Sequence, residues 1–212
     1  MPRGGMMKRC IIIAGGDYAP IGALSEDDFV IACDRGYEYA RRENIVPDLV
    51  MGDFDSYSGT LPEGVLVESF PVEKDDTDTM LAIRRAIELG CDSVRICCGI
   101  GGARLDHLYA NIQSLAFAVK AGMEAEMEDE KTCIRALRPG SYDIAERKGW
   151  SLSLFSLSER CENVCITGSK YELAGGALEY SFPLGVSNSF KGDVHLSFDS
   201  GMMLMMCCRM ED

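Results

Sequence analysis

At Arg138-Pro139-Gly140 the hydrophobic pattern of the chain changes period, and this divides what each part can fold into. From Arg9 to about Glu128, short apolar runs alternate with helical stripes, as they do in βαβ units. Cys10 to Ala14, Phe29 to Cys33, Leu49 to Met51, Val65 to Val67 and Val94 to Cys98 predict strands, several of them apolar on both faces, which is the mark of a parallel sheet. Between them, Tyr37 to Asn44 predicts a short helix. Asp78 to Leu89 predicts a second, with Met80, Ile83 and Ile87 on one stripe. A third is expected after His107, striped by Leu108, Ile112, Leu115, Ala116 and Val119. Gly90 and Gly122 are natural stops for the last two. After Gly140 the period is two: Ser151 to Leu154, Val164 to Thr167, Leu178 to Phe182 and Val194 to Phe198 alternate apolar and polar residues, and Asp199-Ser200-Gly201 turns into Met202 to Met206. The expected fold is therefore α/β. An N-terminal three-layer α/β/α parallel-sheet (Rossmann-like) domain over residues 1–135 precedes a small all-β sandwich over residues 136–212.

Composition narrows the function classes. Across 212 residues, 47% are hydrophobic and 26% charged, which suits a folded chain with a real core. No apolar run approaches the 18 residues of a bilayer span, so no membrane segment is expected. Thirty-four acids against 21 bases give a net charge of −13, which repels a phosphate backbone; nucleic acid is not an expected partner. The ten cysteines form no Cys-x-x-Cys pair and mostly sit in apolar runs, so they read as buried free thiols in a reducing cytoplasm. Met1 to Arg9 lacks the apolar stretch of a secretory signal.

Chemistry-bearing residues gather where parallel strands are expected to end, the place where open α/β sheets bind ligands. In Gly52-Asp53-Phe54-Asp55-Ser56 the two acids sit two apart. In an extended segment they project the same way and can share a hard cation such as Mg²⁺; in a turn they would accept from backbone amides instead. Lys74-Asp75-Asp76-Thr77-Asp78 precedes the second helix. Asp76 or Thr77 can cap it, but three aspartates at one helix start repel each other unless a cation or Lys74 compensates, which suggests metal plus phosphate. Gly99 to His107 forms a glycine-rich turn into a helix start, open to a polyphosphate, with Arg104 as a forked cation and Asp106 able to orient it or cap the helix. The P-loop and dinucleotide fingerprints are absent. His107 reads as a local hydrogen-bonding residue in preference to a general base, and His195 as solvated. Gly15-Gly16-Asp17 and Asp34-Arg35-Gly36 follow the first two strands and can line a nucleotide crevice.

In this order the segments resemble the thiamine pyrophosphokinase (thiamine diphosphokinase) family over nearly the whole chain. The marks are Ala32 to Gly36, Pro47 to Ser56, Lys74 to Asp78, Gly102 to His107 with Ala110 to Ile112, Thr167 to Tyr171 with Leu173, and Leu184 to Asn188 with Phe190. The resemblance implies Mg²⁺-dependent transfer of the diphosphoryl unit of ATP to the hydroxyethyl oxygen of thiamine, giving thiamine diphosphate and AMP. It also implies a homodimer with sites between subunits. Residue by residue, it implies Asp53, Asp55 and Asp78 as metal ligands; the chemistry of the transfer then makes Asp53, Asp55, Asp75, Asp78 and Arg104 the expected catalytic set, with a nearby aspartate, Asp75 or Asp55, expected to take the alcohol proton. Lys74, Asp75, Thr77, Arg104 and Asp106 are implied around ATP and its phosphates, beside Gly15 and Asp34, which their places after the first two strands put at the nucleotide, and Ser187 and Asn188 are implied against thiamine. One departure is Ala103, where members commonly carry a second glycine before the arginine; its methyl restricts the backbone beside the phosphates. The rival readings are diphosphoryl transfer to another small alcohol, such as a hydroxymethylpterin, and an inert nucleotide or thiamine binder.

Overall fold

The computed structural model describes residues 8–52, 64–70 and 76–210. It divides into two units, Met1–Glu130 and Lys131–Asp212. The first unit is built on six parallel strands in the order β6-β5-β1-β2-β3-β4: β1 Arg9–Ile13, β2 Phe29–Cys33, β3 Leu49–Gly52, β4 Leu66–Ser69, β5 Ser93–Cys97 and β6 Glu124–Glu128. Cys10 to Ile13 and Leu49 to Gly52 are buried throughout, as expected of strands covered on both faces. Three helices supply the cover: α1 Gly36–Arg42, α2 Asp78–Glu88 and α3 Leu105–Lys120. Tyr37, Tyr39 and Ala40 of α1 pack on Ile11, Ile13, Ala32 and Val50. Pleat alternation turns Ile12, Ile31 and Met51 to the other face. Helix α2 packs on β1, β2 and β3 and against α3, and α3 packs on β6.

The helix stripes differ in detail from the sequence reading. In α2 the buried positions are Thr79, Ala82, Ile83 and Ala86; in α3 they are Asn111, Ser114, Leu115, Ala118 and Val119. Small residues bury where the two helices and sheet crowd together, and the bulkier Met80, Ile87 and Ile112 are pushed to partly exposed positions. Helix α3 also begins two residues before His107. Strand β6 was missed because Glu124-Ala125-Glu126-Met127-Glu128 carries three acids, yet Ala125 and Met127 alternate into the core.

The second unit is all β: β7 Thr132–Leu137, β8 Gly140–Ile144, β9 Trp150–Ser156, β10 Arg160–Ser169, β11 Leu173–Glu179, β12 Gly185–Phe198 and β13 Met203–Arg209. Strand β13 runs antiparallel between β7 and β9. The first half of β12 pairs with β9, and its second half with β8 and β10, so one long strand joins two sets of partners around a single apolar cluster that includes Leu152, Val164, Leu196, Phe198 and Met203. The strand expected over Leu178 to Phe182 is displaced upstream and ends at Glu179. The Gly175-Gly176 pair disguises β11, because glycine packs no side chain on a sheet and here accompanies register shifts against β10. All ten cysteines are free and eight are buried. Among the described residues, no helix is long and apolar enough to cross a membrane.

Candidate active site

Three strands of the first unit end, and three helices begin, around one cavity of about 590 Å³. Its walls are the residues following β1 (Ala14 to Asp17), the end of β2 with the start of α1 (Cys33, Asp34, Arg35), the start of α2 (Thr77, Asp78, Thr79), and the turn from β5 into α3 (Gly99 and Gly101 to Arg104, with His107 and Asn111). The expected residues Gly15, Asp34, Thr77, Asp78 and Arg104 are thus brought together. Asp106 lies beside them through Arg104. Asp53, Asp55, Lys74 and Asp75 lie outside the described residues, so the expected three-aspartate metal group is not described as a set. Among the described residues, no cluster of three or more His, Cys, Asp or Glu side chains forms a metal site.

Local chemistry explains each wall. Thr77 caps α2, its hydroxyl accepting from the Met80 amide at 3.2 Å, which leaves Asp76 to pair with Arg84 at 2.8 Å. The starts of α2 and α3 both border the cavity, so two helix dipoles favour an anion there. Asp34, at φ 45°, and Cys98, at φ 55°, hold left-handed conformations at two strand ends. The Asp34 amide donates to the Met51 carbonyl at 2.9 Å, and the Cys33 thiol reaches the Asp78 carbonyl at 3.7 Å, tying β2 to α2.

The glycine turn is stitched to the wall opposite. Gly16 donates to the Cys98 carbonyl at 2.8 Å, and a Cβ on Gly16 would stand 2.6 Å from that oxygen. Gly101 and Gly102 carry the turn at φ 79° and 88°. Ala103 is not among the positive-φ residues, so its methyl group imposes no left-handed backbone strain. The Asn111 amide donates to the Gly99 carbonyl at 2.9 Å from a buried position. Asn111 was given no role in the sequence reading. The signal available was a polar residue on the buried stripe of a helix, three before Ser114 and four before Leu115.

Charge in the cavity is mixed: Asp17, Asp34 and Asp78 face Arg35 and Arg104. Arg104 is forked onto Asp106, and the guanidinium holds that carboxyl below its ordinary range. The two side chains are 66% and 62% exposed, so water screens the pair and a phosphate can replace the carboxylate at little cost.

Ser187 and Asn188 belong to the second unit, in the first half of β12. Ser187 is exposed, at φ 58°, and its amide donates to the Ser153 hydroxyl at 3.0 Å. The Asn188 side chain is fully engaged within the fold. Its oxygen accepts from the amides of Tyr171 and Ser189, and its nitrogen donates to the Tyr171 carbonyl at 2.7 Å and the Ser169 hydroxyl at 3.1 Å. Beside it lies an apolar cavity of about 170 Å³ lined by Leu154, Ile166, Leu173 and Leu184 among others.

Residues 22–127 match the family model described as thiamin pyrophosphokinase, catalytic domain, and residues 141–203 match that described as thiamin pyrophosphokinase, vitamin B1 binding domain. The thiamine pyrophosphokinase of Bacillus subtilis (strain 168) is 32% identical over 217 residues, covering 94% of this chain and 98% of that protein. The crystal structure of thiamine pyrophosphokinase from Bacillus subtilis superposes with a TM-score of 0.84 at 29% identity, covering 95% of this chain and 99% of that one. That of thiamin pyrophosphokinase from Geobacillus thermodenitrificans gives 0.79 at 26%, covering 98% of each. The yeast thiamin pyrophosphokinase structure shares the fold at 13% identity, with a TM-score of 0.72 over 98% of this chain and 87% of that one.

Proposed function

Because the chain belongs to the thiamine pyrophosphokinase family, we propose how its residues divide the work of that reaction. The activity is ATP-dependent diphosphorylation of thiamine, giving thiamine diphosphate and AMP. The observation that carries the site assignment is the cavity of the first unit, where two helix N-termini, a glycine turn and Arg104 converge around one space of about 590 Å³ beside Asp34 and Asp78.

The ATP phosphates lie along the Gly99 to Arg104 turn and the start of α2. Arg104 leaves Asp106 for phosphate oxygens, and Lys74, outside the described residues, adds a second cation. Gly15, Asp34 and Thr77 complete the nucleotide wall. Phosphoryl transfer asks mainly for in-line positioning and neutralised charge, which these groups supply. Mg²⁺ fits the donor set by its chemistry: Asp78 offers hard carboxylate oxygen at the cavity, and Asp53 and Asp55 are of the same kind. Bound there, the ion would neutralise phosphate charge that otherwise repels the thiamine hydroxyl. Asp55 or Asp75 accepts the alcohol proton.

We read the first unit as a three-layer, Rossmann-like ATP-binding domain, supported by α1 on one face of the sheet and by α2 and α3 packed together. We read the second as a β-sandwich holding thiamine, supported by β12 serving two sets of strands. Ser187 presents its hydroxyl to the substrate, and Asn188 acts by shaping the segment that carries it. A homodimer in the cytoplasm is the proposed working form; exposed Tyr171, Tyr180, Phe182 and Leu184 give a second copy an apolar surface to cover.

The test is AMP release from ATP, Mg²⁺ and thiamine by the unsubstituted chain and by Asp53→Asn with Asp55→Asn. Loss of about 100-fold or more in kcat is expected from removing metal ligands. Full activity in the double variant refutes the metal assignment. Transfer to a hydroxymethylpterin instead, or thiamine binding without AMP, would favour the rival readings.

A further inference from the structure

The connection between β1 and β2, residues 14–28, has no regular secondary structure, yet side chains from elsewhere hold its carbonyls in place. The Tyr39 hydroxyl donates to the Gly16 carbonyl at 2.8 Å, the Cys98 thiol to Ala19 at 3.4 Å, and the Arg95 guanidinium to Ile21 at 3.2 Å and Ala23 at 3.4 Å. On the other side, the Gly16 and Asp17 amides donate to the carbonyls of Cys98 and Ile100 in the glycine turn. The same connection supplies Gly15, Gly16 and Asp17 to the cavity wall. We propose that Tyr39 and Arg95 are positioning residues for ATP: by fixing the carbonyls of the β1–β2 connection they set the distance between the two walls that hold the nucleotide. The inference rests on the reading that this cavity takes ATP.

Two features separate positioning from mere support. Ile21 is 3% exposed and already anchors the connection in the apolar cluster with Ile11 and Val30, so polar ties are not needed to hold it down. Arg95 is a poor choice for stability. Its side chain is 10% exposed, its Nε is buried without a hydrogen-bond partner among the described residues, and its ion pair with Glu128 is long, at 3.3 Å. An apolar residue of that size would stabilise the site as well, whereas a planar guanidinium whose Nη2 reaches two carbonyls fixes the phase of the loop. Tyr39 acts at the cavity wall itself, and burial raises its phenol above the ordinary range, so it remains a donor.

The experiment measures ATP affinity by titration calorimetry, together with kcat and both KM values, for Tyr39→Phe, Arg95→Lys and Arg95→Met. Loss of one net hydrogen bond predicts that Tyr39→Phe raises the KM and Kd for ATP about five-fold. Arg95→Met, which releases two carbonyls, should raise them about ten-fold or more, with Arg95→Lys restoring part of the loss. The kcat and the KM for thiamine stay within about two-fold, a split that simple destabilisation would not produce. Unchanged ATP affinity in the folded variants overturns the inference, even where melting temperatures fall. Should Arg95→Met fail to fold, Tyr39→Phe decides, because it removes a single oxygen from a ring that stays in place. An unsubstituted chain that binds ATP without releasing AMP would overturn the diphosphokinase reading and leave this one standing.

Discussion

Gly36 opens α1 directly against the end of β1, and replacing it with alanine tests whether that contact sets the cavity. A Cβ built on Gly36 falls 2.0 Å from the Ile13 carbonyl oxygen and 2.7 Å from its carbon. Real Cβ contacts stay above 3.0 Å, so the helix start or the strand end must move by at least 3.0 − 2.0 = 1.0 Å. Neither can retreat cheaply: Ile13 is 0% and Ala14 2% exposed, and the obstacle is backbone, not the tip of a flexible side chain. Overpacking of this kind costs about 1–3 kcal/mol, partly offset by alanine's better helix propensity of up to about 1 kcal/mol. The same shift carries Arg35 and Gly15, which line the cavity, and a displacement of about 1 Å at a reacting site can cost about 100-fold in kcat/KM. Urea unfolding followed by far-UV circular dichroism is the assay, because the single tryptophan, Trp150, lies in the other unit. Gly192→Ala, where nothing stands within 4 Å and no positive φ is required, is the control and should change stability by less than about 0.5 kcal/mol. Gly36→Ala with parental stability and parental ATP kinetics would refute the reasoning.

Asp28, with a side chain 4% exposed, accepts from Arg9 at 2.8 and 2.6 Å and from the Ser25 amide at 2.7 Å, and the Arg9 bond holds its pKa below the ordinary value. A depressed folded-state pKa means that this stability is present above the unfolded value and lost as pH falls through the folded one. Asp28→Asn should therefore cost about 2 kcal/mol at pH 7, with the gap to the parent closing below about pH 4 in urea titrations. A gap independent of pH would contradict the assignment. Asn188→Ala removes the bonds tying β12 to Tyr171 and should destabilise the second unit by about 1–3 kcal/mol, read by Trp150 fluorescence, while raising the KM for thiamine. An unshifted unfolding curve would show that the amide does not organise this segment.

Period alone exposed much of the fold. Phe29 to Cys33 was legible to the residue because an uninterrupted apolar run has one reasonable reading as a buried parallel strand. The start of α2 was legible from Asp76 and Thr77 as the two candidate caps, and the local hydrogen bond to the Met80 amide selects Thr77. What escaped depended on partners distant in sequence. Strand β6 is a strand because β5 and the core accept Ala125 and Met127, not because of its composition. Strand β11 survives two glycines because β10 accommodates its irregular register. In the site, short motifs pointed to Asp34, Asp78 and Arg104. Asn111, Tyr39 and Arg95 act through carbonyls at Gly99, Gly16 and Ile21, and nothing in a linear pattern marks those pairings.

Delivery of a two-phosphorus unit from this cavity to thiamine can be followed with ATP labelled at its β-phosphorus in the presence of thiamine and Mg²⁺. The account predicts label in thiamine diphosphate and none in the AMP released. Label recovered in ADP, with thiamine left unmodified or carrying a single phosphate, would contradict it.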